Sequence, residues 1–202
     1  MSASDKFPEE FQACIDFHGH VCPGLAIGYV AAKAGIDMLG LSRSGDEEVV
    51  AVVENDSCAV DAVQVLLGCT FGKGNFIFRD WGKQVFTFID RTTSRAVRAS
   101  FSGGKLPGGE KRRALKKKID SGQTTDADFK EWEESRKEAV LALINADPGD
   151  FFQLEQVQVE MPPLAAIMST KPCEDCGEAT VTTRLENKDG RLLCRGCAGS
   201  TA

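Results

Sequence analysis

Long apolar runs are missing from this 202-residue chain. No stretch approaches the roughly 20 apolar residues of a membrane span, and Met1-Ser2-Ala3-Ser4-Asp5-Lys6 has no apolar signal-peptide core. The expectation is a cytoplasmic protein with no membrane attachment. An excess of basic residues is missing too: 24 Lys and Arg face 30 Asp and Glu, for a formal net charge of −6. That balance argues against non-specific nucleic-acid binding by the whole surface. Histidine is scarce, with His18 and His20 the only two. Cysteine is not. Eight cysteines in a chain expected to stay in a reducing compartment read as metal ligands or redox thiols rather than a disulfide framework. Otherwise the composition, 42% hydrophobic and 27% charged, is that of an ordinary globular protein, long enough for one domain with a core plus a small appendage.

Both histidines fall in His18-Gly19-His20-Val21-Cys22-Pro23-Gly24. Pro23 disfavours the helical region for the residue before it, so the stretch is expected to run extended, with His18, His20 and Cys22 on one face. Imidazole and thiolate together suit zinc and other late transition metals. Pro23 also fits the first position of a helix, which puts Cys22 at its N-terminus, where the dipole lowers a thiol pKa. A hydrogen-bonded structural histidine and a buried structural cysteine are the competing reading, and coincident facing of three such ligands weighs against it.

In chain order, Phe7 to Asp16 has the pattern of a short amphipathic helix, and Pro23 to Leu39 that of a longer one ended by Gly40. Its small residues Gly24, Ala26, Gly28, Ala31 and Ala32 allow close packing of a strand or a second subunit. Glu48 to Glu54 reads as a buried strand leading to Asn55-Asp56-Ser57-Cys58, where Asp56 or Ser57 would cap a helix from Ala59 to Leu67. Cys58 then sits at a strand-to-helix transition, as Cys22 sits at a helix start, and is the natural fourth member of the cluster. Gly68-Cys69-Thr70-Phe71-Gly72-Lys73-Gly74-Asn75 lacks the spacing and the Ser or Thr of a nucleotide-binding P-loop. Its glycines are expected to turn the chain tightly beside the cluster, with Lys73 or Asn75 as polar contacts for a substrate. Strands follow at Phe76 to Phe78, Gln84 to Ile89 and Arg95 to Phe101, then a joint from Gly103 to Gly109. Lys111-Arg112-Arg113 and Lys116-Lys117-Lys118 form a basic run on a helix, read first as a solvated face and second as a seat for an anionic ligand or acidic partner. A helix from Ala127 to Asn145, capped by Thr125 or Asp126, and a strand within Phe151 to Glu160 complete a domain spanning residues 1–165.

Residues 166–202 carry Cys173-x-x-Cys176 and, after seventeen residues, Cys194-x-x-Cys197. This is the spacing of a structural four-cysteine zinc site. Ala179 to Leu185 and Arg191 to Leu193 flank Asn187-Lys188-Asp189-Gly190 as a hairpin. Arg184, Lys188, Arg191 and Arg195 lie among acidic residues, which favours a structural or protein-contact role over nucleic-acid binding.

Three blocks in this order, His18 to Gly24, Glu54-Asn55-Asp56-Ser57-Cys58-Ala59-Val60-Asp61-Ala62-Val63-Gln64 and Gly68 to Asn75, resemble the formylmethanofuran dehydrogenase E-subunit family, over roughly residues 8 to 145. Cys173 to Cys197 is similar to the treble-clef zinc finger appended to some of its members. The resemblance implies an α+β fold with a thioredoxin-like core, a mixed sheet flanked by helices, and a homodimer. It also implies a core metal site at His18, His20, Cys22 and Cys58, holding zinc or another transition metal, besides the structural zinc of the finger. Some members accompany a molybdenum or tungsten dehydrogenase of methanogens, whose redox chemistry belongs to other subunits. This chain lacks ferredoxin-type cysteine spacing and is not expected to oxidise formylmethanofuran alone. The expected function is that of a metal-binding accessory component of anaerobic one-carbon or related redox metabolism, with Cys22, Cys58, Asp61 and Lys73 as candidates for catalysis. Two alternatives stand beside it. One is thiol redox work by Cys22 or Cys58 with Cys14 or Cys69 as resolving partner, and the other a zinc-finger adaptor or nucleic-acid-binding module.

Overall fold

The computed structural model describes residues 7–103 and 106–200. The N-terminal residues weighed as a signal peptide, and Gly104 and Lys105 of the glycine joint, lie outside them. The chain forms two compact units, Met1–Leu164 and Ala165–Ala202.

The first unit is built on a five-stranded mixed sheet. Its strands are β1 (Val49–Val53), β2 (Phe76–Phe78), β3 (Val85–Asp90), β4 (Ala96–Phe101) and β5 (Phe152–Val157), in the order β2-β1-β3-β4-β5. Only β1 and β2 are parallel, and a parallel pair needs a crossover, here supplied by α3 (Ala59–Leu67). The other helices are α1 (Glu9–His18), α2 (Pro23–Leu39), α4 (Gly109–Asp120) and α5 (Asp126–Ile144). Every residue of β1 is buried, as its unbroken Val and Ala run requires. Alternation then splits the sheet's apolar residues: Val49, Ala51, Val53, Phe86, Phe88, Val97 and Ala99 join the main core with residues of α1, α2, α3 and α5. Val50, Val52, Ile89 and Ala96 form a smaller cluster on the opposite face, packed with Met161 from the segment after β5. Arg91 fastens that segment by donating to the carbonyls of Pro162 at 2.6 Å and Pro163 at 3.1 Å.

Helix α2 begins and ends where its sequence dictates, with Pro23 in its first turn and Gly40 closing it at φ +69°. The small residues along it pack against both a helix and a strand of the same chain. A Cβ on Gly28 would run into the Ala59 carbonyl, and one on Gly24 would lie 3.2 Å from Cys58 Cβ, so the N-terminus of α3 sits directly on α2. Further along, Gly35 makes room for the ring of Phe88 on β3. Helix α5 starts on a reciprocal capping box between Thr125 and Asp128.

In the second unit β6 (Thr170–Pro172) pairs with β7 (Ala179–Val181), and β8 (Leu185–Lys188) with β9 (Arg191–Cys194), followed by the single-turn helix α6 (Arg195–Ala198). The expected continuous strand from Ala179 to Leu185 is instead broken by a 3₁₀ turn at Thr182–Arg184, which passes the chain from one hairpin to the next. Asp189 and Gly190, at φ +52° and +85°, make the two-residue turn of the second hairpin.

Candidate metal centre

The histidine stretch is not extended throughout. His18 is the last residue of α1, and Gly19 at φ +90° reverses the chain before His20. Cys22 has the extended backbone expected of a residue before proline, at φ −150° and ψ 154°. Facing by alternation is therefore replaced by convergence: a helix end, a glycine turn and a helix start deliver His18, His20 and Cys22 to one point, and α3 delivers Cys58. One ligand atom from each lies within 4.8 Å of all the others. Cys58 itself holds the N-cap position of α3, in helical conformation, and Ser57 Oγ, one residue earlier, accepts the Ala59 amide at 3.4 Å.

Imidazole Nδ1 of His18 is 2.7 Å from Asp61 Oδ2, in the first turn of α3. With Nδ1 held by a carboxylate, Nε2 is the free ligand atom, and it lies 3.7 Å from Cys22 Sγ. Gln64 Nε2 donates to the other oxygen of Asp61 at 3.3 Å and steadies it. Partial desolvation, with His18 and Arg136 nearby, lowers the pKa of the exposed His20, which favours the neutral imidazole that ligates. Cys22 accepts the Leu25 amide at 3.3 Å as the cap of α2, yet its pKa is raised. Burial outweighs the helix N-terminus, which corrects the expectation of a depressed value. A cation placed beside such a buried thiol would stabilise the thiolate and release its proton to solvent. Two imidazoles and two thiols from three helix ends and the turn between two of them, one imidazole backed by a carboxylate, form a donor set that fits zinc or a similar divalent ion.

Over this cluster opens a cavity of about 1050 Å³. His20, Cys22 and Cys58 form its floor, and Trp132, Arg136 and α4 its walls. Arg136 donates to the Val21 carbonyl at 2.6 Å, pinning the loop between the histidines and Cys22 from 115 residues away in sequence. Nothing in the local pattern of α5 marks Arg136 out beyond its position one turn after Trp132.

Lys73 and Asn75 are not at this site. Nine residues of α3 separate Cys58 from the glycine loop, about 13 Å along the helix. There Lys73 Nζ donates to the carbonyls of Ser44 at 3.1 Å and Gly45 at 3.4 Å. The fully buried Asn75 bonds Thr70, Asp46 and Val49. The loop secures the start of β1 rather than the cluster. Cys14 and Cys69, the candidate resolving cysteines, are both completely buried, and burial pushes both thiols up to about 12.

In the second unit Cys173, Cys176, Cys194 and Cys197 likewise bring their sulfurs within 4.8 Å of one another. Cys173 Sγ accepts the Cys194 amide at 3.2 Å, and Cys194 Sγ accepts the Cys197 amide at 3.4 Å. The amides of Cys194, Cys176 and Asp175 bring the Cys173 thiol down to about 6, so it is largely thiolate at neutral pH.

Known proteins fit both halves. The family model "FmdE, Molybdenum formylmethanofuran dehydrogenase operon" matches residues 17–153, and "Prokaryotic dksA/traR C4-type zinc finger" matches residues 168–201. A curated protein of Archaeoglobus fulgidus named "Probable S-adenosyl-L-methionine-binding protein" is 33% identical over 192 residues, 92% of this chain and 51% of its own length. The chain thus spans about half the length of that relative. A crystal structure of an FmdE-like protein of the tungsten formylmethanofuran dehydrogenase type, from Syntrophus aciditrophicus, shares the fold. Its TM-score is 0.59 at 24% identity, over 93% of this chain and 89% of that one.

Proposed function

The chain belongs to the FmdE family, that of the formylmethanofuran dehydrogenase E-subunit, and on that premise we propose that its first unit, residues 1–165, is a metal-dependent accessory protein of one-carbon or related redox metabolism. His18, His20, Cys22 and Cys58 hold a functional metal in it, and residues 166–202 form a domain with a structural zinc at Cys173, Cys176, Cys194 and Cys197. The observation that carries the reading is the convergence of four ligand atoms within 4.8 Å, with Asp61 on the far nitrogen of His18. A zinc ion at the core site would supply Lewis acidity and an anchor for an anionic or thiol group. The chain's own residues do the rest. Asp61 fixes the tautomer and orientation of His18, Cys22 and Cys58 give up their protons on loading, and Arg136 holds the His20 to Cys22 loop in register. Asp61 is a positioning residue here, and Lys73 has no part. A cytoplasmic setting, a homodimer and association with a molybdenum or tungsten dehydrogenase belong to the same proposal, supported by the family alone. No described helix is long and apolar enough to cross a membrane.

Thiol redox work by Cys22 and Cys58 draws less support, because the two candidate resolving cysteines are buried with raised pKa values. Elemental analysis of anaerobically purified protein separates the two readings. Wild type is expected to hold two metals per chain and His20→Ala/Cys22→Ser one. One metal in both would overturn the core metal centre and return the site to its thiols.

A further inference from the structure

The basic run of α4 divides into two functional halves. Lys111 pairs with Glu131 at 2.7 Å and Lys118 with Asp128 at 2.6 Å, ion pairs that join α4 to α5. Arg112, Arg113 and Lys116, spaced to share another face, line the cavity above the metal cluster together with Arg136. Glu110 is the single carboxylate among the lining residues. Four cations against one carboxylate concentrate positive charge in one cleft of a chain whose net charge is −6.

Local partners absorb part of that charge. Arg136 divides its guanidinium between the Val21 carbonyl and Glu133, and Lys116 pairs with Asp120. Arg112 donates to the carbonyls of Pro107 and Ser135, which orient it, and Glu138 offsets part of its charge through space. Arg113 meets no carboxylate among the described residues. A metal centre there would not absorb all of the remainder, since two thiolates would cancel the charge of a divalent ion and Asp61, behind His18, adds one carboxylate. Arg113, unpaired among the described residues beside the partly compensated Arg112, Lys116 and Arg136, makes the concave site an anion receptor, and a guanidinium fork matches carboxylate or phosphate oxygens. Trp132, with the Arg136 guanidinium 5.7 Å from its ring centroid, and Leu106 give the cavity an apolar wall. A volume of about 1050 Å³ accommodates a ligand larger than a single inorganic ion.

We propose that this cleft binds a small polyanion with a flat apolar body. Its anionic groups meet Arg112, Arg113 and Lys116, its body lies against Trp132, and its far end reaches the floor formed by His20, Cys22 and Cys58. The placement of the far end rests on the reading of the cluster as a metal centre, whereas the charge selection by Arg112, Arg113 and Lys116 does not.

Isothermal titration calorimetry with three probes tests the proposal. Benzene-1,3,5-tricarboxylate is flat and triply anionic, its triamide is flat and neutral, and propane-1,2,3-tricarboxylate is anionic without the ring. The expected result is saturable binding of the aromatic tricarboxylate that weakens as salt is raised. It should exceed that of the flexible tricarboxylate, with none for the triamide, and fall at least about tenfold, ~1.4 kcal/mol, in Arg113→Glu/Lys116→Glu. Both substitutions lie on the exposed surface of α4, and circular dichroism checks that the fold is kept. Absence of saturable binding to wild type, equal binding of the triamide, or no loss in the double variant would each overturn the cleft. Metal content of the same samples separates the two readings. Two metals with charge-independent binding sinks the cleft alone, whereas one metal with charge-dependent binding sinks the metal centre and leaves the cleft standing.

Discussion

His18 presents Nε2 to Cys22 because Asp61 occupies Nδ1 at 2.7 Å, so the acid sets which nitrogen is left for a metal. Asp61→Ala should leave the fold intact, since the residue is partly exposed on the first turn of α3, and should weaken core metal binding by roughly 10–100-fold. Asp61→Asn should recover part of that loss, because the amide oxygen still accepts from Nδ1–H. Competition against a metal indicator on anaerobic protein measures both, and equal affinity in all three proteins would remove Asp61 from the site. At this scale the four clustered side chains are readable from sequence. Two histidines and a cysteine crowd into one stretch, and a second cysteine stands at a strand-to-helix passage. Lys73 is the counterexample: it is close to Cys58 along the chain and distant in space, because a helix of nine residues lies between. Arg136 is out of reach for the opposite reason, since its contact with Val21 spans 115 residues and leaves no local pattern.

Elements come together at the cluster through one close crossing, that of α2 with α3. Gly28 has no side chain because the Ala59 carbonyl occupies the position a Cβ would take, while a Cβ on Gly24 would make a tight contact of 3.2 Å with Cys58 Cβ. Gly28→Ala forces backbone against a side chain, with no flexible atom to give way. It should destabilise the first unit by about 1–3 kcal/mol in denaturant unfolding, despite the better helix propensity of alanine. Because the crossing also sets Cys58 beside Cys22, the same variant should bind the core metal more weakly. Unchanged stability would mean that α3 is not held where it is seen. The stripe of small residues announces close packing, and helix ends at Gly40 and Gly68 are plain from propensity and capping. The identity of the neighbour is not, because a glycine stripe says how near something comes and not whether it is helix, strand or another chain. Extended geometry for His18 to Cys22 fails similarly. Proline constrains only the residue before it, and Gly19 is free to end α1 and turn the chain.

Taken as a whole, the molecule divides its stability unequally between its units. The first buries an extensive apolar core on five strands and helices, whereas the buried hydrophobic cluster of the second consists of Cys173, Leu193 and Ala198, with two of its ligands packed around them. Two short hairpins and one turn of helix cannot offset the conformational entropy of ordering nearly forty residues. The four-cysteine site must supply the difference, and zinc contributes on the order of 10–16 kcal/mol in small zinc peptides. The Cys173 thiol, already brought down to about 6 by backbone amides, favours loading at neutral pH, and acidification below that value should work against it. Cys194→Ser should therefore unfold residues 170–198 while leaving the first unit cooperative. In hydrogen exchange, amides of β8 and β9 should lose protection in this variant, and those of α2 and β1 should keep it. The core metal should also remain, giving one metal per chain, the complement of His20→Ala/Cys22→Ser. If β8 and β9 stay protected with Cys194 replaced, the second unit has a source of stability other than its metal. If α2 and β1 lose protection as well, the two units unfold as one, and the core centre cannot be studied apart from the finger.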